Sequence, residues 1–242
     1  KLAFYGILKT ASGLATGAIF PCCAKTKIEN AEVLCRIDTE YPFEDAYRVI
    51  VQTDIPVEFE LSLRIPDGAV SALADGKLVK GKRYIIRRKW QGREEITVGF
   101  TFKPELVPQY EDMYYVKRGP LVYCVPIEAE RKLLEYTRDG VERKYPYCDY
   151  ELFPKSAWNY AFADTEFVFI KRKVGKNAFD TANPPTGLRA KLCPVEWPLQ
   201  DGLVTVKPVS NKPVAEETKV ELAPYGCTDL RMTVMPVVNT AK

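Results

Sequence analysis

Two stretches of alternating apolar and polar residues limit the folds open to this sequence. In "EFELSLRIP" (58–66) and in "EITVGFTFK" (95–103), every second residue is a large apolar one. A period of two is typical of β-strands that pack one face on a core and leave the other face polar. Turn signals such as Asp75-Gly76 and Gln91-Gly92 separate the stretches. The sequence therefore predicts an all-β protein built from antiparallel strands.

The chain of 242 residues divides into three predicted parts. The opening part is predicted to be a short helix, because Leu2, Tyr5 and Leu8 fall on one helix face before Gly13 ends it. The two later parts are predicted to be antiparallel β-sandwich or jelly-roll domains, since 18 prolines and 14 glycines break them into short strands. The predicted bounds are 1–20 for the helix, 21–115 for the first sandwich and 116–242 for the second.

Charge and hydropathy exclude two classes of partner. The 35 basic and 32 acidic residues leave a net charge of +3, which is too small for a nucleic-acid-binding domain. The chain contains no uncharged apolar run of the roughly 18–20 residues that a membrane helix needs. We therefore expect neither a nucleic acid nor a membrane as a partner.

The sequence contains no histidine, which excludes Ser-His-Asp and Cys-His catalysis within this chain. Its seven cysteines are an odd number without a Cys-x-x-Cys pair, which favours reduced thiols and a cytoplasmic location over a disulfide framework. The adjacent pair Cys22-Cys23 suggests a zinc site, but zinc takes about four ligands and no Glu-x-Cys or Cys-x-x-Cys partner precedes the pair. The simpler interpretation is that both cysteines enter a strand, and we predict no metal site.

Four residues are candidates for contacts with carbohydrate. Asp149 and Glu151 share one face of a predicted strand, and glycoside cleavage generally uses two carboxylates roughly 5–10 Å apart. The default interpretation of both residues is that they are surface or turn acids. Trp158 and Tyr160 belong to an aromatic segment (145–162) whose rings could stack on sugars. The alternative for these rings is packing in the core or against a neighbouring domain.

Five stretches, in this order, resemble the C-terminal region of glycoside hydrolase family 127 (GH127), the β-L-arabinofuranosidase-like proteins. Together they span most of the chain, so that the resemblance is more specific than any one motif. The stretches are "TEYPF" (39–43), "LSLRIP" (61–66), "RGPLVY" (118–123), "SAWNYAF" (156–162) and "LAPYGCTDLRMT" (222–233).

The resemblance implies an enzyme in which an (α/α)₆ barrel precedes the β-sandwich domains. In that family a cysteine thiolate near zinc is the nucleophile and a glutamate is the acid/base, and both lie on the barrel with the other zinc ligands. This sequence lacks the barrel, and Cys22-Cys23 follows the predicted helix, at a different place from the family's own cysteine pair. We therefore expect no catalytic residue here, zinc only on the missing barrel, and no activity of this chain alone.

The expected function is that of the non-catalytic β-sandwich portion of a GH127-like hydrolase of plant arabinofuranosides, with the helical barrel or its equivalent as partner and a glycan as ligand. Two alternatives stay open: a stand-alone carbohydrate-binding module that uses Trp158 and Tyr160, or a structural partner of a separately encoded barrel. The segment "LAPYGCTDLRMTVMP" (222–236) is predicted to be the closing strand, with Leu230, Met232 and Val234 facing the core.

Overall fold

The computed structural model describes residues 2–238, which form two compact units, one up to Lys103 and the other from Pro104 onward. Both units consist almost entirely of β-strands, so that the predicted all-β class is confirmed. The boundary predicted near residue 115 lies inside the strand Met113–Arg118. Within 2–238, no helix has the length and apolar character needed to cross a bilayer.

The first unit begins with a short 3₁₀ helix and continues as one eight-stranded sheet. The order across the sheet is β1-β2-β5-β8-β6-β7, and β4 joins β3 to β5. The bounds are Leu2–Tyr5 for the 3₁₀ helix and, for strands β1 to β8, Ile7–Thr10, Gly13–Thr16, Cys22–Ile28, Ala31–Asp38, Ala46–Arg64, Ser71–Ala74, Lys77–Leu78 and Arg83–Thr101.

Strands β5 and β8 are each 19 residues long, and they pair with each other at the centre of the sheet. Their antiparallel register is interrupted between Thr53 and Val57, where three residues of β5 oppose one residue of β8. Such a bulge bends a strand and increases its twist. Apolar side chains on both sides of the bulge, including Val49 before it and Leu61 after it, belong to one buried core.

The predicted helix over 1–20 is wrong, apart from the single 3₁₀ turn at Leu2–Tyr5. The segment instead forms the β1–β2 hairpin, and β2 pairs in parallel with β5. Glycines explain the difference, because a Cβ at Gly13 would lie 2.2 Å from the Glu60 carbonyl oxygen and one at Gly17 would lie 2.1 Å from the Tyr5 carbonyl oxygen. These close backbone approaches favour a strand arrangement, whereas three glycines in a short helix would weaken it.

The second unit contains one nine-stranded sheet with the order β16-β18-β21-β11-β10-β23, joined by β9, β17 and β22 at its sides. A bridge between Phe162 of β16 and Val237, just after β23, connects the two ends of this order. The bounds are, for β9 to β23, Pro104–Pro108, Met113–Arg118, Leu121–Ile127, Ala129–Leu134, Tyr136–Arg138, Val141–Arg143, Asp149–Pro154, Tyr160–Phe162, Val168–Lys171, Thr186–Pro194, Leu199–Gln200, Leu203–Val204, Thr218–Pro224, Leu230–Met232 and Met235–Pro236, with a 3₁₀ helix at Tyr225–Cys227.

A hairpin that we call the arm (residues 128–155) leaves the second unit after β11. It consists of the β12–β15 pair and, beyond it, the shorter β13–β14 pair. Most of its side chains are exposed, including Tyr147 at 82% and Tyr145 at 71%. The first half of the aromatic segment 145–162, which lies on the arm, is therefore largely exposed on the surface.

The segment 222–236 is more broken than the predicted closing strand. The end of β21, the second 3₁₀ helix, β22 and β23 follow one another within it. Leu230, Met232 and Val234 are only half-buried, whereas Cys227 and Met235 are fully buried. The 3₁₀ turn shifts the inward-facing positions away from those that simple alternation predicts.

Candidate functional site

A cavity of about 490 Å³ lies in the second unit at the base of the arm. Its volume falls inside the range of roughly 300–1,000 Å³ that is usual for small-ligand sites. Apolar side chains of β11, β15 and β22 form part of the lining: Val125, Ile127, Leu152 and Leu230. Polar side chains surround them, among which the principal ones are Glu128, Arg131, Ser156, Tyr160, Thr181 and Asp229.

Two hydrogen bonds close the arm at its base and so fix one wall of the cavity. The Glu128 N–H donates to the Ser156 hydroxyl at 2.9 Å, and the Lys155 N–H donates to the Glu128 carbonyl at 2.7 Å. Because both ends of the arm are held together here, the residues that enter and leave it keep a fixed separation.

The segment that carries Tyr160 is attached to the residue that follows β18. The Asn159 side-chain amide donates to the Val195 carbonyl at 2.7 Å, and the Val195 N–H donates back to the Asn159 carbonyl at 2.9 Å. Tyr160 then enters β16 with its side chain half-buried in the cavity wall. Residues 2–238 provide no hydrogen-bond partner for its hydroxyl, nor for that of Thr181, so that both are available to a ligand.

An ion pair joins the arm to the loop before β22 at the edge of the cavity. Arg131 and Asp229 approach to 3.0 Å, and the Arg131 guanidinium also lies 5.0 Å from the ring centre of Tyr150. The two charged side chains are 54% and 61% exposed. An exposed pair of this kind contributes only about 0–1 kcal/mol to stability, so that its hydrogen-bonding groups can be shared with a ligand at little cost.

Two buried thiols lie beside the cavity, Cys227 in its lining and Cys124 close to it. Burial raises the pKa of Cys227 to about 11, and it also raises the pKa of Cys124. The Cys124 sulfur lies 3.4 Å from the Thr228 hydroxyl. Since the thiolate is the reactive form, both groups are poor nucleophiles at neutral pH.

Tyr160 is the one predicted carbohydrate contact that lines the cavity. Trp158, two residues earlier, is half-buried, and its ring centre lies 6.0 Å from that of Trp197. Trp197 is itself buried and donates its indole N–H to the Thr205 carbonyl at 3.0 Å. The Trp158 side chain therefore packs on a fixed neighbour of the same unit.

Asp149 and Glu151 lie on the exposed side of the arm, on strand β15. Successive residues of a strand point to opposite faces, and Leu152, the next residue after Glu151, lines the cavity. The two carboxylates therefore face away from the cavity, where Asp149 accepts a hydrogen bond from the Tyr136 hydroxyl. The structure does not bring them together with Tyr160.

Arg131, Asp229, Thr181 and Glu128 were not among the residues predicted from the sequence. They come from three separate segments of the chain, around residues 128–131, 181 and 229, and no spacing pattern joins these segments. The only signal was indirect, since Tyr160 and Asp229 both lie in stretches that carry the GH127 resemblance.

The adjacent cysteines of the first unit lie at the start of β3, as the strand interpretation requires. Cys22 is half-buried and Cys23 is exposed, and all seven cysteines are free thiols. Burial, followed by the charge of Cys23, raises the pKa of Cys22. In the part of the chain that the structure describes, no group of three or more Cys, Asp or Glu side chains is arranged to hold a metal ion.

Fold and site together define an all-β protein of two units, with a cavity of mixed apolar and polar lining in the second. A family model described as beta-L-arabinofuranosidase, GH127 middle domain, matches residues 19–102, which is most of the first unit. The resemblance predicted from the sequence is confirmed, since the chain matches a sub-region of GH127 proteins. A comparison with curated proteins finds no match.

Three solved structures are similar to nearly the whole chain. A GH127 β-L-arabinofuranosidase from Geobacillus stearothermophilus T6 has a TM-score of 0.60 and 18% identity, covering 96% of this chain and 34% of that one. A glycoside hydrolase has a TM-score of 0.56 and 16% identity over 97% of this chain and 37% of that one. A GH127 β-arabinofuranosidase has a TM-score of 0.51 and 14% identity over 93% and 34%. The chain spans about a third of the length of these structures, and the likeness shows a shared fold.

Proposed function

We propose that this chain is the non-catalytic β-sandwich portion of a GH127-like glycoside hydrolase and that it supports a helical (α/α)₆ catalytic barrel. The match of the GH127 middle domain to residues 19–102 carries the proposal. The similar fold over 93–97% of the chain supports the same role for the second unit.

The chemistry of the described side chains supports a role without catalysis. The chain has no histidine to act as a general base. Burial raises the pKa of Cys35 to about 12 and that of Cys227 to about 11, so that these thiols stay protonated at neutral pH. The carboxylates of Asp149 and Glu151 face away from the cavity, and therefore do not flank a bond held inside it.

The substrate class of the whole enzyme is inferred from its structural relatives. Two of the similar structures are named as β-L-arabinofuranosidase or β-arabinofuranosidase. We infer that the hydrolase to which this chain contributes acts on arabinofuranosides of plant glycans. We also infer a reducing, cytoplasmic location, because the seven cysteines are free thiols.

An activity assay tests the non-catalytic role. The 242-residue polypeptide is purified and incubated with an aryl β-L-arabinofuranoside, with and without added zinc, beside an intact GH127 enzyme as the positive control. We expect turnover by the intact enzyme and none by the polypeptide. Zinc-dependent turnover by the polypeptide that disappears in a Cys22→Ala, Cys23→Ala double variant would show that catalysis resides in this chain, and would overturn the proposal.

A further inference from the structure

We propose that the cavity at the base of the arm binds one neutral sugar unit of a glycan chain, with the Tyr160 and Thr181 hydroxyls and the Arg131–Asp229 pair as its hydrogen-bonding groups. The expectation that this unit is arabinose rests on the proposed function. The site itself is inferred from the cavity.

The lining of the cavity matches the two surfaces of a sugar ring. A sugar presents C–H groups on its faces and hydroxyl groups around its edge. Val125, Ile127 and Leu152 offer an apolar surface for the C–H groups. Tyr160 and Thr181 offer hydroxyls that have no partner within 2–238, and such convergent polar groups on an apolar surface are the usual composition of a small-ligand site.

The charge of the lining selects against anions. Its charged residues are Glu128, Arg131 and Asp229, two carboxylates and one guanidinium, which leaves a net charge of −1. A phosphate or a uronic acid would therefore meet a net repulsion, whereas a neutral sugar would not. Carboxylate and guanidinium groups also form the stronger, charge-assisted hydrogen bonds to hydroxyls.

The walls of the cavity are held in place before any ligand binds. Hydrogen bonds at Ser156 and Asn159 fix the segment that leads into Tyr160, and the pairing of β16 with β18 holds the residues from Tyr160 onward. Within that segment Trp158 packs on Trp197, and so acts as a positioning residue. A site whose groups are already ordered loses less conformational entropy on binding.

Heteronuclear NMR titration of the full polypeptide with L-arabinose, an arabinofuranosyl disaccharide, glucose and galacturonic acid tests the site. We expect saturable shifts confined to the cavity lining, around residues 125–131, 152–160, 181, 220 and 227–230, with neutral sugars binding more tightly than galacturonic acid. Tyr160→Phe and Thr181→Val each remove one hydroxyl and are expected to weaken binding roughly 3- to 10-fold. Tyr147→Phe, at an 82% exposed position on the arm, is the matched control and should leave the affinity unchanged.

The outcomes of the titration distinguish a failure of this sugar site from a failure of the proposed function. Absence of saturable binding of any neutral sugar would overturn the site while leaving the supporting role intact. Shifts that are the same in Tyr160→Phe and Thr181→Val as in the original chain, or tighter binding of galacturonic acid, would also overturn it. Binding of glucose but of no arabinose-containing ligand would support the site and contradict the arabinofuranoside assignment.

Discussion

At the scale of single residues, a buried polar network joins two strands of the first unit, β2 and β5. The Arg64 N–H donates to the Thr16 hydroxyl at 2.7 Å, and the Tyr47 hydroxyl donates to the Arg64 carbonyl at 2.7 Å. Thr16 and Tyr47 lie 3.4 Å apart, oxygen to oxygen, and both are almost completely buried. Because buried polar groups cost free energy when they lack partners, each member of the network depends on the others.

Thr16→Val tests this network. The substitution keeps the shape of the side chain but leaves the Arg64 N–H without an acceptor, and we expect a loss of about 1–3 kcal/mol in the free energy of unfolding. Denaturant unfolding measures the change. Thr97→Val, at an exposed position of β8, is the control and should change stability by less than about 0.5 kcal/mol. Equal effects of the two substitutions would contradict the network.

At the scale of elements, the parallel pairing of β2 with β5 depends on one glycine. Gly13 has a φ of +151°, and its α-carbon lies so close to β5 that an added Cβ would be 2.2 Å from the Glu60 carbonyl oxygen. Gly13 itself pairs with Glu60 in the register. Since backbone atoms cannot move aside as a side-chain tip can, a larger residue would separate the two strands.

Gly13→Ala is therefore expected to destabilise the chain by more than about 2 kcal/mol, from the positive φ and the clash together. Gly99→Ala serves as the control, because a Cβ at Gly99 in β8 would have no atom within 4 Å. That substitution should be nearly neutral. Unfolding midpoints of both variants give the comparison, and a Gly13→Ala chain as stable as the original would refute the close pairing.

At the scale of the whole molecule, burial keeps several ionisable groups protonated. It raises the pKa of Cys35 from an ordinary value of 9.0 to about 12 and that of Tyr47 from 10.0 to about 12 in the first unit. In the second unit, burial raises the pKa of Cys227 to about 11. The folded state therefore binds more protons than the unfolded state above the ordinary pKa values of these groups.

The contribution of these groups to the free energy of unfolding should accordingly be fully present below about pH 9. It should fall as the pH rises from there towards 12, because the unfolded chain releases these protons first. Denaturant unfolding at stepped pH values measures the slope, and Cys35→Ala should reduce it. At pH 8, iodoacetamide with mass mapping should modify the exposed Cys23 and spare the buried Cys35. Stability that rises over pH 9–11, or equal modification of both thiols, would contradict this account.

The alternating stretches at 58–66 and 95–103 determined the β-class without any help from tertiary structure. Each residue's apolar or polar character is fixed by the sequence, and a period of two can be buried on one face only by a strand. The same local reasoning failed over 1–20, where Leu2, Tyr5 and Leu8 fit a helix face. There the close contacts of Gly13 and Gly17 with distant backbone decided the outcome, and those contacts exist only in the folded chain.

The candidate site divides in the same way. The sequence marked Tyr160 only as one ring of an aromatic segment that could stack on sugars or pack in a core, and the five motifs marked the GH127 resemblance. Only the tertiary structure placed Tyr160 in a cavity with Arg131, Thr181 and Asp229 and turned Asp149 and Glu151 away from it. Alternation is a property of neighbouring residues, whereas convergence of distant segments on one cavity depends on how the sheet of the second unit and its arm fold together.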